Sequence, residues 1–174
     1  MSYSVIRSHE ICAGHRVVGH ESKCRHLHGH NYVFHFKVQP KGVPVEMEYP
    51  ETFPGTLTEP GKLDNLGRVI DFSVVKSTLC QWLEDNWDHK FLAYEKDFLL
   101  KSLYYAAPKD IGVEFQDMFT FQESIVFLPF NPTAENLAAH MVNVVGPMLL
   151  GEHGVELVSC TIEETSKCHV EYTK

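Results

Sequence analysis

The chain has 174 residues, enough for one domain with a real core. Hydrophobic residues make up 44% and charged residues 22%, the mix of a soluble globular protein rather than a disordered one. The formal net charge of −8 argues against nucleic acid as the main partner, because phosphate backbones demand a basic footprint.

No apolar run is long enough to cross a membrane, and the first ten residues lack the basic-then-apolar pattern of a secretory signal. The five cysteines, Cys12, Cys24, Cys80, Cys160 and Cys168, are odd in number, scattered, and contain no C-x-x-C pair. This distribution points to reduced thiols and a cytoplasmic protein with no membrane contact. Seven of the eleven histidines lie between His9 and His35, a local concentration that marks where chemistry should be sought.

The whole chain, 1–174, reads as one domain without repeats or a clear linker. Residues 3–12 read as a strand leading into Ala13-Gly14-His15, and 30–38 as a second strand. Along the second, Tyr32, Phe34, Phe36 and Val38 share one face. Residues 40–66 hold five of the nine prolines and form a turn-rich excursion, with room for a short strand at Val45–Tyr49. Gly67-Arg68-Val69-Ile70 looks like a strand end. Asp71 can then cap a helix reaching about Trp87, with Phe72, Val75, Leu79 and Trp82 on its buried face. A second excursion near 95–122 carries a short helix around 97–106 and precedes a strand at 124–128. Thr133 can cap another helix whose apolar face is Leu137, Met141, Val144, Val145 and Met148, ending at Gly151 and Gly154. Val155–Ile162 and residues 168–173 read as closing strands. Two helices among hairpin-spaced strands predict an α+β fold with an antiparallel sheet.

His28 and His30 sit two apart where the strand pattern begins, so their imidazoles face the same way. Gly29 between them leaves room on the opposite face. His15, at the end of the preceding strand, could supply a third nitrogen. Three neutral imidazoles with an open fourth position form the catalytic zinc (Zn2+) arrangement, whereas structural sites are closed by four ligands. From spacing alone, His9, His20, His26 or His35 could replace His15, and His26 shares the parity of His28 and His30.

Cys24 lies four residues before His28, beside Lys23, Arg25 and His26. A thiol near a dication and these groups is expected to be partly thiolate and able to accept a proton, unless it is itself a zinc ligand. Asp88 and His89 follow the first helix, and a carboxylate next to an imidazole can orient it. Glu164 shares strand parity with Val158, Cys160 and Ile162; a carboxylate on that inward face needs a pairing ligand, unless the strand has already ended.

Several motifs occur together in one order. They are A-G-H at 13–15, C-x-x-x-H-G-H-N-Y at 24–32, V-I-D-F at 69–72, W-D-H-K-F-L at 87–92, P-T-A-E-N at 132–136, and E-E-T at 163–165 followed by Tyr172. With these the chain resembles the 6-pyruvoyltetrahydropterin synthase and 6-carboxytetrahydropterin synthase (QueD) family over nearly its whole length. The resemblance implies the tunnelling fold (T-fold), a four-stranded antiparallel sheet with two helices packed on one face. It implies a homo-oligomer, a trimer or a hexamer of stacked trimers, with sites at subunit boundaries. It assigns zinc to His15, His28 and His30, the proton-accepting thiol to Cys24, the relay pair to Asp88 and His89, and the pterin anchor to Glu164. In family members the Asp-His pair usually comes from a neighbouring subunit.

The small-molecule substrate so implied is a pterin triphosphate, 7,8-dihydroneopterin triphosphate. Loss of triphosphate with side-chain cleavage would give 6-carboxy-5,6,7,8-tetrahydropterin, of the queuosine type of pathway. Loss of triphosphate with the side chain kept would give 6-pyruvoyltetrahydropterin. A zinc-containing pterin-binding protein without this activity would not need the Cys24, Asp88 and His89 set. The chain departs from the family at Ile11-Cys12-Ala13-Gly14, where Phe-x-Ala-Ala is commoner, and at Trp87 and Ala93, where Leu and Asn are frequent. Arg16, Lys23 and Arg25 are the nearby candidates for triphosphate contacts.

Overall fold

The structure is a computed structural model that describes residues 3–42 and 63–174. Its strands are β1 (Val5–His15), β2 (His28–Pro40), β3 (Phe91–Tyr94), β4 (Ile125–Leu128), β5 (Val155–Thr165) and β6 (Cys168–Thr173). They form one sheet in the order β4-β3-β1-β2-β5-β6. The four long strands β1, β2, β5 and β6 are neighbours and pair antiparallel, the core that the resemblance implies. The two short strands extend it at the β1 edge in parallel pairing, so the sheet is mixed, with six strands among the described residues. Local pattern gives no sign of strand β3, because four residues after a helix carry too little alternation to register. The Val45–Tyr49 strand lies outside the described residues. Residues 67–70 form bends rather than a strand end.

Two long helices cover one face. The first, α1, joins Phe72–Val75, a π-helical segment Lys76–Cys80 and Gln81–Asn86. Asp71 caps it by accepting the Ser73 N–H at 2.8 Å. Three short helices fill the second excursion: α2 (Phe98–Tyr104), α3 (Pro108–Ile111) and α4 (Phe115–Glu123). The other long helix, α5, joins Ala134–His140, a π-helical segment Met141–Val145 and Gly146–Leu150, with Thr133 as its cap.

The π segments alter the buried faces that helical spacing predicts. In α1 the buried residues are Val75, Leu79, Cys80 and Leu83, while Phe72 is exposed and Trp82 half-buried. In α5, Val142 and Val145 are buried but Val144 and Met148 are exposed. A π turn spans one residue more than an α turn, so the apolar stripe rotates past it. Against these faces pack Tyr32, Phe34, Phe36 and Val38, all without solvent exposure, as strand alternation predicts. Burying each such side chain contributes about 1.5–3 kcal/mol. A smaller cluster of Ala93, Leu100 and Ile125 anchors the 95–122 excursion to β3 and β4. None of the helices among the described residues is long and apolar enough to cross a membrane.

Candidate metal centre and active site

The β1–β2 register sets the metal candidates. His15 pairs directly with His28, and Ala13 with His30, so all three imidazoles project from one face. Their candidate ligand atoms lie within 4.8 Å of one another. Gly14 and Gly29 pair between them on the other face. A Cβ on Gly29 would meet the Ala13 carbonyl oxygen at 3.0 Å, so a side chain there would push the two strands apart beside the triad.

Hydrogen bonds decide which ring nitrogen is free. His15 Nδ1 stands 2.6 Å from the Pro132 carbonyl oxygen, and His28 Nδ1 2.7 Å from that of His26. A carbonyl can only accept, so each Nδ1 carries the proton and each Nε2 offers a lone pair. Among the described residues, His15 Nε2 is buried without a hydrogen-bond partner. Burial lowers the pKa of His15 to about 4; the Pro132 bond opposes this, and the neighbouring His28 and His30 add to it. His15 is thus a neutral imidazole, the form that ligates metal. The His30 ring is set edge-on against Tyr32, with centroids 5.3 Å apart. Tetrahedral zinc with Zn–N bonds of about 2.0–2.1 Å spaces its nitrogens by roughly 3.3 Å, which small ring rotations would reach here. An orphaned buried nitrogen, two fixed tautomers and an all-imidazole donor set fit that ion.

The competing histidines are elsewhere. His26 is exposed and ends a single 3₁₀ turn, Lys23–Arg25; β2 begins only at His28, so strand parity does not extend back to it. His9 pairs with Glu84 at 2.8 Å, and His20 Nδ1 accepts the Ser22 N–H. His35 bridges Ser8 and Glu163 on the other face of the sheet.

Cys24 sits in that 3₁₀ turn with its side chain exposed, and its carbonyl accepts the Val17 N–H at 2.8 Å. Glu164 has no partner in the β5–β6 register, which shifts between Glu163 and Thr165. Such bulges re-aim a side chain. Here the bulge carries the Glu164 carboxylate to 3.4 Å from the Tyr32 hydroxyl, which donates to it, and 3.8 Å from His15 Nε2. Cys160 and Ile162 share its inward face, but Val158 is only half-buried, because another register shift opposite Lys37 and Val38 interrupts the alternation. Burial raises the Tyr32 phenol well above its ordinary pKa, and Glu164 and then Cys24 push it further. The triad, Tyr32 and Glu164 therefore share one neighbourhood, and the turn that carries Cys24 is tied by the Val17 bond to the segment just past His15.

Asp88 and His89 lie on the other face of the same chain. Asp88 accepts the Cys12 N–H at 2.8 Å and bonds His89 Nδ1 at 2.7 Å. Burial works to raise the Asp88 pKa, but the bonds from Cys12 and His89 outweigh it and hold the carboxyl below its usual value. His89 adopts a left-handed φ of 55°, held by its N–H bond to the Cys12 carbonyl. Its ring is exposed and lines a cleft of about 430 Å³ whose wall includes Cys12, Gly14, Gly29 and Asn31, opposite in parity to the triad, and also Ala13 and His30 between them.

Arg16 is not free for an anion. Its guanidinium is 2.6 Å from Asp97, a carboxylate 1% exposed that also caps α2. Lys23 and Arg25 stay exposed beside Cys24. Local sequence carries no sign of the roles of Tyr32 and of the Pro132 carbonyl. Asp97 had a signal, an acidic residue directly before Phe98-Leu99-Leu100.

The family described as 6-pyruvoyl tetrahydropterin synthase matches residues 4–174. A 6-carboxy-5,6,7,8-tetrahydropterin synthase of Rickettsia typhi is 32% identical over 159 residues, covering 91% of each chain. A protein named as a probable enzyme of that kind in Halobacterium salinarum is 28% identical over 155 residues, covering 89% of this chain and 76% of its own. Among solved structures, an uncharacterized protein of Wolinella succinogenes superposes with a TM-score of 0.75 at 21% identity, covering 99% of this chain and 98% of its own. The 6-pyruvoyl tetrahydropterin synthase of Caenorhabditis elegans gives 0.56 at 22% identity, covering 99% and 95%. At those identities the two structures speak for the fold alone, and it is the family match over nearly the full length that decides. The chain belongs to the 6-pyruvoyl tetrahydropterin synthase family.

Proposed function

We propose that this protein is a zinc-dependent lyase that converts 7,8-dihydroneopterin triphosphate to 6-carboxy-5,6,7,8-tetrahydropterin. The observation that carries the reading is the convergence of His15, His28 and His30 beside the Glu164 carboxylate. The names of the Rickettsia typhi and Halobacterium salinarum relatives support the 6-carboxy product.

Held by Nε2 of His15 and of His28 and by a ring nitrogen of His30, zinc would act as a Lewis acid toward the side-chain hydroxyls of the substrate. Glu164 accepts hydrogen bonds from the amino-pyrimidinone edge of the pterin and so aims the side chain at the triad. Cys24, on its exposed turn, removes a proton from that side chain. Asp88 keeps the His89 imidazole oriented to shuttle protons, and the two reach a Cys24 of a neighbouring subunit rather than their own. The opposite placement of the triad and the pair in one chain supports this division and a homo-oligomeric enzyme. Positioned proton transfer of this kind contributes about 10²–10⁴-fold. The chemistry requires no membrane and no nucleic acid, in keeping with the −8 charge.

The second reading, 6-pyruvoyltetrahydropterin as product, is favoured by the description of the family itself. Mass spectrometry of the products formed from 7,8-dihydroneopterin triphosphate separates the two. A 6-carboxy product is expected, and a retained pyruvoyl side chain overturns that choice. Stoichiometric zinc without consumption of the substrate would leave only a pterin-binding protein.

A further inference from the structure

The loop that follows His15 is tied to the start of α5 by one side chain. Asn131 Oδ1 accepts the Val18 N–H at 2.9 Å, and Asn131 Nδ2 donates to the Val18 carbonyl at 3.0 Å. The amide thus pairs with both backbone groups of one residue, as a neighbouring strand would. Asn131 is itself held, because its carbonyl accepts the Thr133 N–H at 2.8 Å and the Asn136 Nδ2–H at 3.0 Å. The next residue, Pro132, is buried and presents the carbonyl that fixes the His15 tautomer. Val17, adjacent to the clamped residue, donates its N–H to the Cys24 carbonyl. One side chain thereby joins three things: the carbonyl that orients a metal ligand, the loop leaving that ligand, and the turn that carries the thiol.

From this we infer that Asn131 is a positioning residue that sets both the aim of His15 Nε2 and the distance between the metal and Cys24. The inference rests on the zinc reading above. Physically, β1 ends at His15, so beyond it no ladder bonds hold the chain until β2 begins at His28. The intervening residues need another frame: the Arg16–Asp97 pair fixes the first of them to α2, and Asn131 fixes Val18 to the start of α5. The P-T-A-E-N stretch takes part through Pro132 and Asn136. Partners that orient a metal-bound imidazole typically carry about 10–100-fold in metal affinity or activity.

The test compares zinc affinity, by chelator competition, in the purified full chain and in Asn131→Ala, Asn131→Asp and Thr133→Ala. Thr133→Ala removes the α5 cap, which accepts the Asn136 N–H, and leaves the side-chain amide of Asn131 in place. Its thermal midpoint reports how much mere helix destabilisation does. Asn131→Ala is expected to weaken zinc binding about 10–100-fold, the range for such partners. It should also alter the visible spectrum of the cobalt-substituted protein. Asn131→Asp keeps the acceptor for Val18 N–H but loses the donor, and should fall between. At saturating zinc, Asn131→Ala should still lower kcat more than it raises KM, because the Cys24 turn has lost its anchor. Unchanged zinc affinity and cobalt spectrum in Asn131→Ala would overturn the inference. So would equal weakening in Thr133→Ala at a matched thermal midpoint. If the unmodified chain bound no zinc, the zinc reading itself would fail.

Discussion

Replacing Glu164 by Gln tests the proposed pterin anchor with little change of shape. The carboxylate is placed by the β5–β6 bulge, receives the Tyr32 hydroxyl at 3.4 Å, and has 31% of its side chain open to a ligand. An ionised acceptor facing two N–H donors makes charge-assisted bonds worth about 1.5–3 kcal/mol each. Gln keeps one neutral acceptor and turns its own NH₂ toward the second donor, so one bond is lost and the other weakened. A net loss of about 3 kcal/mol follows, which is roughly 150-fold in kcat/KM. The assay is steady-state turnover of 7,8-dihydroneopterin triphosphate, with zinc content measured on the same preparation. Zinc should remain at the level of the unmodified protein, since the three imidazoles are untouched. A kcat/KM within fivefold of the unmodified protein would refute the anchoring role. Loss of zinc would instead make the carboxylate, 3.8 Å from His15 Nε2, a metal ligand.

Cys24→Ala should abolish turnover and retain zinc, measured by product formation and metal content; loss of zinc would make Cys24 a fourth ligand and sink its role as proton acceptor. Asp97→Ala strands Arg16 and removes the α2 cap, so chemical denaturation should show a loss of about 3–5 kcal/mol, as for a broken buried pair; a change under 1 kcal/mol would mean that the pair contributes little.

Local pattern already carried much of the fold. Alternation along Tyr32, Phe34, Phe36 and Val38 identified the inner face of β2, and Asp71 and Thr133 marked both helix starts, because strand parity and capping depend on neighbours in the chain. The same parity paired His28 with His30. Spacing alone could not choose His15 over His26, and the choice rested on family resemblance. Tertiary structure supplies the physical reason: the β1–β2 register sets His15 opposite His28, and a carbonyl 117 residues away turns its free nitrogen inward. Register also explains Glu164, whose aim comes from a bulge created by pairing with β6. The π segments that rotate the stripes of α1 and α5, and the placement of Asp88 and His89 on the far face, were likewise invisible in local spacing. Sequence by itself determined which residues alternate, cap and carry chemistry, because those properties are decided within a few positions. Which of them meet was decided only when strands paired, since register and bulges depend on segments far apart in the chain.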